Sequence, residues 1–425
     1  MQIQEIYQLY LQSPSIQTDT RKLKAGDIFF ALKGENFNGN LFAKEALEKG
    51  AVAVVADEQT GIDDERIFMV ESSLAALQQL AKHHRLQFKI PFLAITGSNG
   101  KTTTKELIHA VLSTHLKTST TEGNFNNHIG IPLTLLKVPF DAEIAVIEMG
   151  ANHQKEIASY CTYTLPTHGL INNVGKAHLE GFGGIEGVKK GKGELYDFIR
   201  ETGGIIFMNT DFDYLHEMSR GIQHKITYGT HDAQTTGIIK SSDPFLTVAI
   251  TSQPQIGTIQ TQLVGDYNLP NVLAAVSVGL YFKVPLEKIK AAIESYIPSN
   301  SRSQMIERNT NHIILDAYNA NPSSMKLAIE NFAKLNASKK VVMLGAMAEL
   351  GTESLQEHQA IIEQLESHSW ERVVLVGGDF LQVPHPFLSF QTSDQAKNWF
   401  DQQSFQETHF LIKGSRSMKM EKIIG

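Results

Sequence analysis

The residues best suited to chemistry lie in one glycine-rich stretch, Thr-Gly-Ser-Asn-Gly-Lys-Thr at 96–102. Glycines allow backbone N–H groups to approach phosphate oxygens closely, and a helix that begins next favours their negative charge. Lys101 can reach the β- and γ-phosphates of a nucleotide, and the Thr102 hydroxyl can bind Mg²⁺. The spacing, Gly-x-x-Gly-Lys-Thr, is shorter than the usual phosphate-binding loop, because Ile95 stands where that pattern has its first glycine.

The elements on either side of this loop would place it correctly. The apolar run at 92–95 predicts a buried strand, and the pattern at 105–115 predicts a helix. A strand, a tight turn and a helix in this order favour a nucleoside triphosphate site over a chance glycine-rich turn. The loop residues predicted to contact the nucleotide are Gly97, Ser98, Asn99, Gly100, Lys101, Thr102 and Thr103.

A second strand is predicted at 142–150, with Glu148 near its C-terminal end. In parallel α/β sheets, ligands bind outside the carboxyl ends of the strands. A carboxylate there can hold the Mg²⁺ that the phosphate loop presents. The competing interpretation, a helix N-cap, is disfavoured because glutamate is not among the preferred N-cap residues.

Composition limits the class of protein. A chain of 425 residues predicts about three domains, and a net charge of −7 without a basic block argues against nucleic-acid binding. Cys161 is the single cysteine, so no disulfide framework is expected. The start of the sequence lacks the pattern of a signal peptide, and the apolar run at 272–282 is too short to span a membrane. We therefore expect a cytoplasmic protein.

Short apolar runs alternate with helical patterns along the whole chain, which predicts an α/β protein. We place domain boundaries so that the segments are 1–89, 90–298 and 299–425. The last segment predicts a small doubly wound sheet, because strand patterns at 313–316, 339–345, 372–378 and 410–416 are separated by helical ones.

Seven strings spread over nearly the whole chain resemble the Mur ligase family of peptidoglycan synthesis. They are Thr-Gly-Ser-Asn-Gly-Lys-Thr at 96–102, Glu-Gly-Asn-Phe-Asn-Asn at 122–127, Glu-Met-Gly-Ala-Asn-His at 148–153, His-Leu-Glu-Gly-Phe at 178–182, Asp-Ala-Tyr-Asn-Ala-Asn-Pro at 316–322, Met-Ala-Glu-Leu-Gly at 347–351 and Lys-Gly-Ser-Arg-Ser at 413–417. The Tyr-Asn-Ala-Asn-Pro and Lys-Gly-Ser-Arg-Ser strings resemble the branch that adds D-alanyl-D-alanine. The resemblance implies a central P-loop ATPase domain between a small α/β nucleotide-sugar domain and a Rossmann-like C-terminal domain.

The implied reaction uses ATP to make an amide bond. The carboxylate of a UDP-N-acetylmuramoyl-tripeptide would attack the γ-phosphate to give an acyl phosphate, which the amine of D-alanyl-D-alanine would then displace. Such an enzyme acts mainly by positioning its reactants and neutralising charge. We expect it to act as a monomer on these small molecules.

The resemblance also implies two Mg²⁺ ions. Thr102 and Glu148 match the ligands of the first ion, and His178 matches a ligand of the second. Lys192 falls where the family has a carbamylated lysine, whose anionic oxygen can bind Mg²⁺ where a free ammonium would repel it. Catalytic roles are thereby implied for Lys101, His178 and Lys192.

The register of the carbamylated lysine stays open, because Lys189 and Lys190 lie close to Lys192. The resemblance assigns the remaining contacts by class. Nucleotide contacts are implied for Asn271 (adenine), Arg302, Asp316 and Tyr318. Substrate contacts are implied for Thr18, Asp19, Thr20 and Arg21 on the nucleotide-sugar side, and for Asn126, Asn127, Asn319, Asn321, Lys413 and Arg416.

Two other functions remain open at this stage. A P-loop switch or binding module would use a nucleotide without joining two substrates. Such a protein needs no second metal site, so the pair His178 and Lys192 favours the ligase. A sister ligase would add a different amino acid, which the Lys-Gly-Ser-Arg-Ser string disfavours. The sequence leaves undecided whether the third residue of the peptide is meso-diaminopimelate or lysine.

Overall fold

The computed structural model describes residues 2–13, 15–299 and 301–425. Met1, Pro14 and Asn300, which the predicted first and third domains include, lie outside the described residues. The chain divides into two compact units, which we describe separately. The first contains Met1–Ala94, Leu116–Gly150 and Glu156–His168, and the second contains Ile95–His115, Ala151–Lys155 and Gly169–Gly425. The segment predicted as the central domain contributes to both.

The first unit begins with a small parallel sheet and its helices. The elements are α1 (Gln2–Gln12), β1 (Ile16–Gln17), β2 (Ile28–Phe30), β3 (Lys33–Gly34), β4 (Phe37–Asn38), α2 (Ala43–Glu48), β5 (Ala53–Ala56), β6 (Ile67–Met69) and α3 (Ser73–Arg85). The strand order is β1-β2-β5-β6, with all neighbours parallel. Every residue of β2 and β5 is buried, as expected for parallel strands covered on both faces.

The next elements alternate between the two units. They are β7 (Phe92–Thr96), α4 (Lys101–Ser113), β8 (Thr118–Thr120), α5 (Gly130–Leu136), β9 (Ile144–Glu148), α6 (Glu156–Thr164) and β10 (His168–Ile171). In the first unit, β8 runs parallel to β9. The Ala145 N–H donates to the Pro91 carbonyl (3.1 Å), and the Thr167 N–H donates to the Phe92 carbonyl (3.0 Å). The start of β7 therefore lies between β9 and the segment that enters β10.

The central part of the second unit contains both parallel and antiparallel strands. Its elements are α7 (Leu179–Phe182), α8 (Ile185–Thr202), β11 (Ile205–Asn209), α9 (Asp213–Met218), β12 (His224–Gly229), β13 (Thr235–Ser242), β14 (Phe245–Ile250), β15 (Thr258–Val264), α10 (Leu269–Tyr281) and α11 (Leu286–Ser295). Strands β11, β12 and β13 are parallel, but β13, β14 and β15 are antiparallel. The two-residue link between β13 and β14 permits only an antiparallel pair, since a parallel crossover needs a dozen residues or more.

Helix α10 accounts for the most apolar run of the sequence. Most of its residues are buried, including Val272 and Val276, so its apolar composition reflects packing inside the second unit. Within the described ranges, none of the helices has the length and apolar character needed to cross a membrane.

A six-stranded sheet forms the C-terminal part of the second unit. Its elements are β16 (Gln304–Arg308), β17 (Asn311–Asp316), α12 (Pro322–Lys334), β18 (Lys340–Gly345), α13 (Ser354–Glu366), β19 (Arg372–Val376), β20 (Leu388–Phe390), α14 (Ser393–Asp401) and β21 (His409–Lys413). The order is β16-β17-β21-β18-β19-β20, parallel except for β16. Asp316 and Lys413 are register partners at the carboxyl ends of β17 and β21. The small parallel sheet predicted for this segment is present, with one antiparallel edge strand.

Short 3-10 helices complete the described structure. They lie at Gly39–Phe42, Asp266–Asn268, Gly351–Glu353, Gly378–Leu381, Arg416–Met418 and Met420–Ile424.

Candidate active site

The glycine-rich loop joins the end of β7 to the start of α4 in the second unit. Gly97 has φ 146° and Gly100 has φ 77°, a region that residues with a side chain rarely adopt. A Cβ on Gly100 would lie 2.7 Å from the Asn271 Oδ1 atom, so glycine is required there for space as well. The Lys101 ammonium donates to the carbonyls of Gly97 (2.8 Å) and Ser98 (3.2 Å). The loop thus has the form of a phosphate cradle, with its lysine folded over it.

Buried side-chain amides form a chain of hydrogen bonds that supports this loop. The Thr104 hydroxyl donates to Asn271 Oδ1 (2.9 Å), and Asn172 Nδ2 donates to the Thr104 oxygen (2.7 Å). Asn271 Nδ2 in turn donates to Asn268 Oδ1 (2.8 Å). The Asn271 amide therefore holds the loop in this structure, while its contact with adenine stays a prediction. Thr104, Asn172 and Asn268 were missed by sequence reasoning, because isolated asparagines and threonines carry no pattern.

Glu148 ends β9 in the first unit and is 1% exposed. Asn126 Nδ2 donates to its Oε1 atom (2.8 Å), and its backbone N–H donates to the Thr121 hydroxyl (3.0 Å). Asn126, predicted to contact substrate, thus lies against Glu148, and Asn127 accepts from the Ile129 and Gly130 N–H groups at the start of α5.

His178 precedes α7 in the second unit and has φ 53°, a left-handed conformation. Its Nδ1 atom is hydrogen-bonded to the Glu349 carboxylate. The Glu180 N–H also donates to the Glu349 carbonyl (3.2 Å). The bond from His178 holds the pKa of the Glu349 carboxyl below its usual range. Glu349 was not assigned a role from the sequence, although it lies in a string that resembles the family.

The three candidate lysines of α8 differ in environment. Lys192 is 1% exposed; its ammonium donates to the Ala151 carbonyl (3.0 Å) and lies 4.9 Å from the centre of the Phe182 ring. Lys189 pairs with Glu217 (3.0 Å) at the surface, and Lys190 is exposed. Of the three, Lys192 alone is enclosed by protein.

The C-terminal sheet brings several predicted residues together. The Lys413 ammonium pairs with Asp316 (2.5 Å) and also donates to the Asn319 carbonyl (3.2 Å). Lys413 is 2% exposed, so in this structure it secures its own domain. The Arg302 guanidinium lies 3.5 Å from the Tyr318 ring centre, and that of Arg416 lies 5.8 Å away.

Residues at the start of α12 contact the phosphate loop and the segment before α7, all within the second unit. Asn321 Nδ2 donates to Asn99 Oδ1 (2.7 Å), and the Lys176 N–H donates to the Ser323 hydroxyl (3.0 Å). Lys176 also pairs with Glu357 of α13 (2.5 Å). Asn321, predicted on the dipeptide side, therefore reaches the nucleotide loop.

The predicted nucleotide-sugar residues lie at the turn after β1 in the first unit. Arg21 forms a two-point ion pair with Asp19 through Nε and Nη2. The hydrogen bonds from Arg21 lower the pKa of the Asp19 carboxyl to about 2. Thr20 is buried and its carbonyl accepts from Lys49, while Thr18 is half-buried.

Three family models match successive parts of the chain. The Mur ligase catalytic domain matches residues 14–85, the Mur ligase middle domain matches 95–279, and the Mur ligase glutamate ligase domain matches 301–401. The UDP-N-acetylmuramoyl-tripeptide–D-alanyl-D-alanine ligases of Bacillus subtilis and Escherichia coli are each 34% identical, over 96% of this chain and 92% of theirs.

Solved structures agree with these matches. MurF from Acinetobacter baumannii superposes with a TM-score of 0.87 at 30% identity, covering 98% of this chain and 97% of that one. MurF from Thermotoga maritima in complex with ADP gives 0.87 at 27% identity, with 97% of each chain covered. The predicted three-domain α/β fold is confirmed.

Proposed function

We infer the function of this chain from the premise that it belongs to the Mur ligase family. It is an ATP-dependent ligase that joins D-alanyl-D-alanine to UDP-N-acetylmuramoyl-tripeptide in peptidoglycan precursor synthesis. The observation that carries this conclusion is the match, over nearly its whole length, to ligases of that name and to MurF structures. An ADP-bound relative of the same fold and the cradle between β7 and α4 support the use of ATP.

The reaction has two steps, an acyl phosphorylation and an acyl transfer. The peptide carboxylate attacks the γ-phosphorus, the bond to the β-phosphate oxygen breaks, and ADP leaves with an acyl phosphate formed. The amine of D-alanyl-D-alanine then attacks the acyl carbon, inorganic phosphate leaves, and the amine releases a proton as the amide forms. Phosphorylation is needed because a carboxylate is a poor acyl donor.

The phosphate loop performs the first task, which is to hold the triphosphate. The backbone at Asn99 and Gly100, together with Ser98 and Thr103, would line the β- and γ-phosphates, and the start of α4 adds its dipole. In this structure the Ser98 and Asn99 N–H groups donate to the carbonyl (3.0 Å) and Oδ1 (2.9 Å) of Asn173, so both would have to change partner when a phosphate binds. The Lys101 ammonium leaves the carbonyls of Gly97 and Ser98 to neutralise charge as the γ-phosphoryl group moves.

Two Mg²⁺ ions fit the proposed donors by chemistry. Across the described residues, no three His, Cys, Asp or Glu side chains form a ready metal cluster, so the ions would share protein and phosphate oxygens. Thr102 and Glu148 would hold one, and His178 and a Lys192 carbamate the other; the hydroxyl, carboxylate and carbamate oxygens are ligands that suit Mg²⁺. When bound, these ions would neutralise the charge on the phosphoryl oxygens.

Burial supports Lys192 as the carbamylated residue. An ammonium in a site that is 1% exposed is shielded from water, and an ammonium there would repel a metal ion. Conversion to a carbamate gives an oxygen ligand of negative charge. Lys189 and Lys190 lie at the surface, where neither is enclosed.

The remaining assignments follow the three proposed domains, 1–89, 90–298 and 299–425. Thr18, Asp19, Thr20 and Arg21 would bind the nucleotide-sugar, with Asn126 and Asn127 toward the peptide. Arg302, Asp316, Tyr318 and Asn271 would contact ATP, and Asn319, Asn321, Lys413 and Arg416 would face the dipeptide. Arg416 suits a carboxylate because a guanidinium binds it through two hydrogen bonds, and its side chain is 66% exposed.

We further propose that the enzyme acts as a cytoplasmic monomer, without nucleic acid. ATP and the UDP-linked peptide are substrates of the cell interior, and Cys161, the single cysteine of the sequence, is buried, which suits a reducing compartment.

A coupled phosphate-release assay tests the function directly. Tripeptide precursors with meso-diaminopimelate or lysine at the third position are crossed with D-alanyl-D-alanine and single amino acids, in the presence of ATP and Mg²⁺. Phosphate release that needs both a tripeptide and the dipeptide is the expected result. Release with a single amino acid would indicate a sister ligase, and release without any acceptor would indicate a P-loop switch.

A further inference from the structure

Two residues of the second unit share an unusual backbone conformation and contact each other. His178 has φ 53° and Glu349 has φ 62°, values that residues other than glycine rarely adopt. They are 171 positions apart, yet the His178 Nδ1 atom is hydrogen-bonded to a Glu349 carboxylate oxygen. Backbone strain of this kind persists where surrounding contacts enforce it, and it clusters at functional sites.

The loop that carries Glu349, which we call the docking segment (residues 346–351), is held from both sides. The Met347 N–H donates to His358 Nε2 (3.1 Å), and His358 Nδ1 bonds to the Ser354 carbonyl (2.7 Å). At the other end, the Glu349 carbonyl accepts from Glu180 N–H (3.2 Å). These bonds fix the position from which the Glu349 carboxylate reaches His178.

The second contact surface lies in the helix that follows. Glu357 of α13 pairs with Lys176, two residues before His178, and Lys176 N–H donates to Ser323. The docking segment and α13 are thus joined to the stretch 176–180 by backbone, side-chain and ionic contacts together. Such redundancy indicates that the position of His178 matters more than any single bond.

From this geometry we infer that Glu349 is a positioning residue that orients the imidazole of His178 for its metal ion. With Nδ1–H directed at the carboxylate, Nε2 is the ring atom left to bind the ion. A carboxylate that accepts from a metal-bound histidine fixes its tautomer and orientation and strengthens it as a ligand. The inference rests on the proposed role of His178, and it adds that the metal site is complete only when the docking segment is in place.

Metal binding offers the first test. Mn²⁺ is titrated into the enzyme with ADP and the tripeptide precursor, and free Mn²⁺ is followed by electron paramagnetic resonance. One bound Mn²⁺ should be lost in His178→Ala. Glu349→Ala should lower the affinity of that same site for Mn²⁺ by roughly 10–100-fold, and Glu349→Gln, which keeps an acceptor oxygen, should lower it less. The matched control is Glu353→Gln, in the 3-10 helix that follows the docking segment, which is expected to bind Mn²⁺ as wild type does.

The outcomes separate the two claims. Unchanged Mn²⁺ affinity in Glu349→Ala, while His178→Ala loses an ion, would overturn the positioning role alone. If wild type binds no ion that His178→Ala removes, the metal assignment under the proposed function fails instead. Thermal unfolding of each variant shows whether a loss of affinity merely reflects a loss of folded protein.

A second test needs neither metal nor activity. At a pH high enough to keep the imidazole rings neutral, enzyme labelled with ¹⁵N-histidine should show His178 as the Nδ1–H tautomer, which the bond to Glu349 selects. In Glu349→Ala this preference should be lost, and in Glu353→Gln it should persist. A His178 tautomer that is the same in wild type and Glu349→Ala would contradict the inference.

Discussion

The phosphate loop and the docking segment both carry residues proposed for the reaction, but they are built in opposite ways. The turn of the loop is set by residues a few positions apart, since Gly97 and Gly100 allow it and Lys101 bonds back to Gly97, and distant amides such as Asn271 then support it. The docking segment takes its shape from distant parts of the chain, because Glu349 bonds to His178. The turn that forms the phosphate loop is therefore encoded locally, whereas the site around His178 is assembled by tertiary structure.

This difference has a functional rationale. A phosphate cradle can be present in the open enzyme without harm, because ATP alone is stable in water. An acyl phosphate is readily hydrolysed, so a site that forms only when separate segments meet helps to exclude water while the intermediate exists.

The largest expected effect tests the enclosed lysine of α8. Lys192→Ala should lower kcat by about 100-fold or more, because a metal ligand is lost. Short carboxylic acids should restore part of the activity by supplying the missing oxygens. Steady-state assays with and without acetate measure this, and Lys190→Ala, two positions earlier at the surface, is the control. Equal activity in both variants would rule out a carbamate at Lys192.

The next effect tests how a distant pair supports the C-terminal site. Lys413→Met should reduce the free energy of unfolding by about 3 kcal/mol, because the largely buried Asp316 carboxylate loses its cationic partner and keeps the neutral Ser303 N–H as a donor (3.0 Å). Arg416→Met, at a side chain that is 66% exposed, should change it by less than about 0.5 kcal/mol. Urea denaturation compares the two variants. If Arg416 binds the dipeptide, its variant should instead raise the KM for D-alanyl-D-alanine.

A third test separates conformation from crowding in the phosphate loop. Gly100→Ala should destabilise the protein by about 2 kcal/mol and weaken ADP binding, since the new Cβ would meet both a positive φ and the Asn271 side chain. Gly203→Ala is the matched control, with φ 71° and no atom within 4 Å of the added Cβ. It should cost about 1 kcal/mol and leave ADP binding intact, as calorimetry can show.

The smallest effect concerns the pH dependence of the docking segment. Burial lowers the pKa of His358 below its usual value of 6.5, against the opposing influence of the Ser354 carbonyl and of Asp379 and Glu357. The folded protein therefore favours the neutral ring, so its contribution to stability is present above pH 6.5 and is lost as the pH falls below it.

Hydrogen exchange measures this change. Amide exchange in residues 346–351, corrected for the intrinsic effect of pH on exchange, should be roughly two- to fivefold faster below pH 6.5 than above it. In His358→Gln the dependence should vanish. If exchange in this variant still depends on pH, another group is responsible for the effect.

The local part of this structure was predictable from the sequence. The strand predicted at 92–95 is Phe92–Thr96, and the predicted helix begins earlier, at Lys101, because Gly100 takes the left-handed conformation that ends the turn. The strand ending in Glu148 and the parallel C-terminal sheet were also predicted. Hydrophobic patterns and turn residues act over a few positions, so they report such elements well.

The contacts between distant residues were not predictable. Nothing in the spacing of Thr104, Asn172 and Asn271 shows that their side chains meet, and nothing near residue 349 indicates a histidine partner. Lys413 illustrates the same limit, because a lysine in a family string gives no sign that it is buried against Asp316. Pairing of this kind depends on how whole elements pack.

The Asn321 side chain both accepts and donates a hydrogen bond. Its Oδ1 atom accepts from the Ser324 N–H to begin α12, while its Nδ2 atom donates to Asn99 in the nucleotide loop. Aspartate could begin the helix as well but has no hydrogen to offer Asn99. One amide group therefore both begins α12 and connects this helix to the nucleotide loop. A substitution at this position that removes one of these hydrogen bonds is expected to disturb the other as well.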